Sequence, residues 1–159
     1  SMPVPAWAMP RAVRLNAKDG STLLYLALSH QGLAQPREAK RYFEAAMEQS
    51  RDAEIRLAYA RAQMENGEAN PARVLIAKAL EIEAKSRDAH YEMARWHLDF
   101  GQAASAATEA ELALLLPGTG TTERQIHFLL ARAYGKLGDV AKAAQHRKAF
   151  ESIAPRLIR

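Results

Sequence analysis

The 159 residues are 48% hydrophobic and 25% charged, with 22 Lys and Arg against 18 Asp and Glu, and no cysteine. The missing thiols exclude disulfides, thiolate metal sites and a Cys nucleophile, and no apolar run approaches the ~20 residues a membrane-spanning helix needs. Ala, Leu, Glu, Arg and Lys dominate while Thr, Val and Ile are sparse, which favours helices over strands. The net charge of +4 is uneven: +2 over residues 1–19, zero over 20–86, −3 over 87–120 and +5 over 121–159.

Residues 1–19 open with Ser-Met, which reads as an expression scar, and lack the long apolar centre of a signal peptide. "AVRLNAKD", from Ala12 to Asp19, reads as the tail of a second helix of a preceding repeat, because Ala12 lies 34 residues before Ala46. The chain is therefore expected to begin inside an earlier repeat of a longer protein. Three- and four-residue apolar spacing then predicts eight helices: 21–33, 36–50, 53–66, 70–84, 87–100, 102–116, 121–137 and 139–153. Gly67, Gly101 and Gly138 follow helical runs, where a left-handed residue ends a helix at little cost. Pro36 and Asn70-Pro71 are expected to start helices, and Asp139 to cap one. "PGTGTT", from Pro117 to Thr122, is a breaker cluster.

The helices are written to a period. "YARAQMENGE", "MARWHLDFGQ" and "LARAYGKLGD" each hold Ala-Arg, five residues, then Gly. Small residues recur in three columns: Ala27, Ala60, Ala94 and Ala131; Ala39, Ala72, Ala106 and Ala143; and Ala46, Ala79 and Ala113, with Phe150 breaking the last. Such columns let helices approach closely. Leu23, Leu26, Tyr59, Met93 and Leu130 on the first helices, with Phe43, Ile76 and Leu112 on the second, are expected to fill the gaps. A period in the mid-thirties marks a helical solenoid. "ARAYGKLGDVAKAAQHRKAF" and "NGEANPARVLIAKALEIE" resemble the tetratricopeptide repeat, and the resemblance covers about 140 residues. It implies an all-α, right-handed helical solenoid of about four antiparallel helix pairs. Its units would be about 20–52, 53–86, 87–120 and 121–155, within one domain over 20–159. Ala34, where the first turn usually has Gly, and Phe150 depart from the pattern.

Catalytic motifs are absent: there is no HExxH, Walker sequence, GxGxxG or GxSxG. No enzyme activity, cofactor or metal is expected. His90 and His97 are seven apart, with no i, i+4 ligand pair. His30 and His97 are expected to fill an inter-helix column shared with Gln63 and Tyr134, Trp96 to be buried, and Glu109 and Glu111 to be solvated. The resemblance implies that the first helix of each pair lines a concave groove. The candidate partner-binding residues on that face are Arg61, Arg95 and Arg132, with Tyr91, Phe128, Leu57, Tyr25, Leu24 and Leu28 forming an apolar and aromatic strip. Guanidiniums beside apolar side chains suit a peptide or protein partner of acidic and apolar character. Arg61 with Glu65 and Arg95 with Asp99 are the competing i, i+4 ion pairs, whereas Arg132 meets Lys136 at that spacing. The Lys and Asn pattern by which chaperone-binding members of the family hold a terminal carboxylate is absent.

The reading that follows is a non-catalytic protein-protein interaction module, a scaffold or adaptor. The alternative is a structural spacer or self-association array, joined through solenoid ends, within a larger bacterial envelope or secretion assembly protein. Nucleic acid is not expected despite Lys142, Arg147, Lys148, Arg156 and Arg159, since aromatic platforms for bases are missing nearby. Neither is membrane insertion. A soluble protein of the bacterial cytoplasm or periplasm is the expectation.

Overall fold

The computed structural model describes residues 19–155. The proposed tail of an earlier repeat, apart from Asp19, and the basic residues Arg156 and Arg159 lie outside the described residues. Among the described residues eight helices follow one another: α1 Gly20–Gly32, α2 Pro36–Gln49, α3 Ala53–Glu65, α4 Ala69–Ile82, α5 Arg87–Asp99, α6 Ala103–Leu115, α7 Glu123–Leu137 and α8 Val140–Ser152. No strand occurs among the described residues. The fold is all-α, with helices packed as the hairpins of a tetratricopeptide-type solenoid: α1 on α2, α3 on α4, α5 on α6 and α7 on α8. Among the described residues these fall into two compact units, divided between Ile82 and Glu83.

In the first unit the hairpins α1/α2 and α3/α4 meet through contacts of α3 with both α1 and α2. Pro36 occupies the first turn of α2, where its missing N–H has no intrahelical partner to lose. Helix α4 begins at Ala69, so Asn70 and Pro71 lie inside its first turn rather than forming its cap. A proline is tolerated there for the same reason. Leu23, Phe43 and Ile76 are at most 1% exposed, and the Phe43 ring stacks on that of Tyr59 at 4.8 Å. His30 stacks on Tyr42 and meets Gln35 at 2.7 Å, tying the end of α1 to the turn after it. Ala34 stands in that turn with φ of 57°, where Gly67, Gly101 and Gly138 serve the other hairpins. Only glycine adopts this conformation without strain.

In the second unit α6 packs on α7 as well as on α5. The core is alanine-rich: Ala94, Ala106, Ala107, Ala110, Ala113 and Ala133 pack with Leu98, Ile126, Leu129 and Leu130. With so many small side chains at the seam the helices sit close. Leu112, expected as a filler, is pushed to the rim and is 42% exposed. Trp96 is buried and stacks on Phe100. The Pro117–Thr122 loop is held down by the start of α5. Arg87 donates from Nε to the Leu116 carbonyl at 2.6 Å, and Asp88 accepts from the Thr121 N–H at 2.7 Å. Thr122 then opens α7 with a reciprocal capping box to Gln125. Asp139 caps α8 through the Lys142 N–H, in agreement with the sequence reading.

Candidate functional site

Each unit carries part of the expected face. In the first unit Tyr25 is 71% and Leu28 47% exposed, and Leu24 is half-buried. They follow the i, i+4 stripe of α1 that its buried residues Leu23 and Ala27 leave outward. Leu57, expected on the open face of α3, is instead 1% exposed. Helix α3 buries eight of its thirteen residues, so its stripe is too wide for position 57 to escape the interior. Arg61 pairs with Glu54 at 2.9 Å, two turns back, rather than with Glu65. Glu65 instead accepts from Gln31 of α1.

In the second unit four of the named residues come together on α5 and α7. Arg95 pairs with Glu92 at 3.1 Å, not with Asp99. Glu92 is 3% exposed, and a buried carboxylate takes the nearest cation it can. Burial pushes the Tyr91 phenol up; Arg95 pulls it down, Glu92 pushes it further up, and Arg132 pulls it down. Both guanidiniums are therefore within electrostatic reach of one hydroxyl. One turn from Arg132, Phe128 is 49% exposed, and the Arg132 guanidinium stands 5.8 Å from the centre of its ring. No carboxylate lies within ion-pair distance of Arg132 among the described residues. A half-exposed phenyl beside an exposed cation that no carboxylate neutralises is a place where a carboxylate and an apolar group can bind together.

The histidines are engaged in ways that spacing did not reveal. His90 meets Glu109 at 2.7 Å and the Ala84 carbonyl at 3.0 Å. His97 bonds Gln102 just as His30 bonds Gln35, two repeats earlier. His127 and His146 meet Nδ1 to Nδ1 at 3.0 Å, and Glu111 accepts from the Tyr134 hydroxyl at 3.1 Å while lying 3.4 Å from His146 Nε2. Glu109 and Glu111 are thus partnered rather than merely solvated. The contacts of these two glutamates are 19, 23 and 35 residues apart in sequence, so only the register of the packed helices could have suggested them. Among the described residues no group of three or more His, Asp or Glu is placed to hold a metal ion, and no helix is long and apolar enough to cross a membrane.

Burial, then the facing His146, hold His127 below its ordinary value, against the weaker pull of Glu123 and Glu111. The unfolded chain binds that proton more readily than the folded one. Stability is therefore complete above the unfolded value of about 6.5 and falls as pH drops below it. The urea midpoint of the second unit should decrease between about pH 7.5 and 5.5, and His127→Gln should flatten that part of the profile. An equal slope in both proteins would remove His127 as the cause.

Residues 32–86 match the tetratricopeptide repeat family. No curated protein matches the sequence. Among solved structures, MamA is similar at 17% identity and a TM-score of 0.72, over 96% of this chain and 87% of its own. PilF of Pseudomonas aeruginosa is similar at 16% identity and a TM-score of 0.81, over 92% of this chain and 66% of its own. The Yersinia enterocolitica type III secretion chaperone SycD, solved in complex with a peptide of the translocator YopD, is similar at 18% identity and a TM-score of 0.60, over 76% of this chain and 91% of its own. The tetratricopeptide repeat signature thus lies in residues 32–86, and the described residues share the all-α helix-pair fold of these solved structures.

Proposed function

We propose that this chain is a non-catalytic interaction module, a scaffold or adaptor that holds a peptide or protein segment of acidic and apolar character. The observation that carries this reading is the group formed by Tyr91, Arg95, Phe128 and Arg132, in which Arg132 is exposed beside Phe128 with no carboxylate of its own. On the first unit, Tyr25 and Leu28 offer a further apolar surface. The fold likeness to a protein solved with a bound peptide supports the reading at the level of architecture alone. The four hairpins, about 20–52, 53–86, 87–120 and 121–155, would be the repeats of this module.

The test is affinity capture from an extract of the source organism, comparing wild type with Arg132→Glu. Arg132 is preferable to Arg95, whose removal would strip a partner from the buried Glu92 carboxylate. With matching circular dichroism, the variant should lose at least about tenfold of a partner held by wild type. Identical partner lists would overturn the reading. They would favour the second one, a self-associating array, for which exposed Leu112, Leu115 and Leu137 offer an apolar surface.

A further inference from the structure

Between α7 and α8 lies an open pocket of about 280 Å³, lined by Phe128, Ala131, Arg132, Arg147, Phe150 and Glu151. The two phenyl rings stand 5.3 Å apart, tilted by 41°. Phe150 occupies the column that holds Ala46, Ala79 and Ala113 in the earlier hairpins, each of them fully buried. Its ring is pinned from behind by Arg124, whose guanidinium lies 3.9 Å from the ring centre while its Nε donates to the Ile153 carbonyl. Arg132 and Arg147 border the opening, and among the described residues no carboxylate lies within ion-pair distance of either. Helices α7 and α8 together carry six Lys and Arg against two Asp and Glu. The volume is below that of pockets for drug-sized ligands, about 300–1,000 Å³, and suits a single large side chain.

We propose that this pocket anchors one apolar side chain, of the Leu or Phe class, from an acidic peptide segment of the partner. The chain would insert against Phe128 and Phe150 while flanking carboxylates meet Arg132 and Arg147. This rests on the interaction-module reading above. Charge complementarity selects the occupant: two exposed guanidiniums beside an apolar pocket, with no carboxylate within ion-pair distance among the described residues, favour an acidic segment. The single acid, Glu151, sits on the rim, where it disfavours a phosphate backbone. The tilted rings leave no parallel slot for stacked bases.

The probe is a fluorescein-labelled peptide carrying Asp-Asp-Leu-Asp-Asp in a Gly-Ser frame, with Gly in place of Leu and Lys in place of Asp as controls, followed by anisotropy. The acidic Leu peptide should bind at least about tenfold tighter than either control. Arg147→Gln and Phe150→Ala should each weaken it about fivefold or more. Phe150→Ala restores the residue of the other three hairpins, so the fold is expected to tolerate it, and circular dichroism verifies that. No binding of the acidic Leu peptide, or binding unchanged in both variants, overturns the pocket. So does tighter binding of a labelled oligothymidylate, or self-association in sedimentation velocity that Phe150→Ala abolishes. A captured partner that is lost with Arg132→Glu but kept by Arg147→Gln and Phe150→Ala would leave the module standing and remove this pocket alone.

Discussion

Replacing Phe43 by Ala should destabilise the first unit by about 3–5 kcal/mol, the usual cost of deleting a fully buried aromatic ring. Phe43 is 0% exposed, and its ring lies 4.8 Å from that of Tyr59 at an angle of 10°. It therefore joins α2 to α3, the two hairpins of the unit. The stacked pair adds about 0.5–1.5 kcal/mol beyond area alone. A unit of this size, residues 19–82, has a total stability of roughly 3–10 kcal/mol at 0.05–0.15 kcal/mol per residue. The loss takes a large part of it. Urea titration followed by circular dichroism should show a first transition moved to much lower denaturant, with the second unit left near its original midpoint. Phe43→Leu keeps most of the volume and should cost about 1–1.5 kcal/mol. A Phe43→Ala loss below about 1 kcal/mol would mean that the hairpins do not depend on this ring. Phe150→Ala supplies the contrast, because a partly exposed ring has much less burial to lose.

How much of this was legible beforehand depends on the range of each interaction. Helix bounds needed only local periodicity, and each predicted helix matches an observed one to within two residues at either end. The left-handed glycines at 67, 101 and 138 and the Asp139 cap are decided within one turn. The alanine columns were legible because helix approach permits few residue types. Ion pairs were not. Arg61 had carboxylates available two turns back and one turn ahead, and only side-chain reach within the folded hairpin selected Glu54. Arg95 bonded Glu92 because that carboxylate is buried, a fact absent from i, i+4 counting. Leu57 and Leu112 exchanged expected roles for a related reason. Exposure depends on how wide a buried stripe the neighbouring helices demand, and alanine-rich α6 demands less volume than α3. The pairing of His127 with His146 needed the register of α7 on α8.

Asp88→Ala should cost about 2–3 kcal/mol, because it removes a hydrogen bond to a charged acceptor and leaves a buried donor unmade. The Asp88 carboxylate accepts from the Thr121 N–H at 2.7 Å, 33 residues away in sequence, and Thr121 is 5% exposed. Gly120 makes this possible. A Cβ built there would stand 2.7 Å and 2.9 Å from the two carboxylate oxygens, so Gly120→Ala should displace the carboxylate and cost about 1–3 kcal/mol. The two changes attack one bond, and the methyl group fits where the carboxylate has gone. Their combined cost should fall short of the sum by about 1 kcal/mol or more. Strict additivity would show that residue 120 and the carboxylate do not compete for the same space. Asp88→Asn keeps an acceptor and should be milder, at about 1 kcal/mol. Amide exchange at Thr121 reports the bond directly: protection should drop in Asp88→Ala and in Gly120→Ala. The same bond, with Arg87 on the Leu116 carbonyl, sets the start of α7 against the start of α5. Phe128 and Arg132 project from the next two turns of α7, and Tyr91 and Arg95 from those of α5. Loosening the clamp should therefore weaken partner binding without touching any of those four side chains. Partner affinity unchanged in a folded Asp88→Ala protein would separate the clamp from the site.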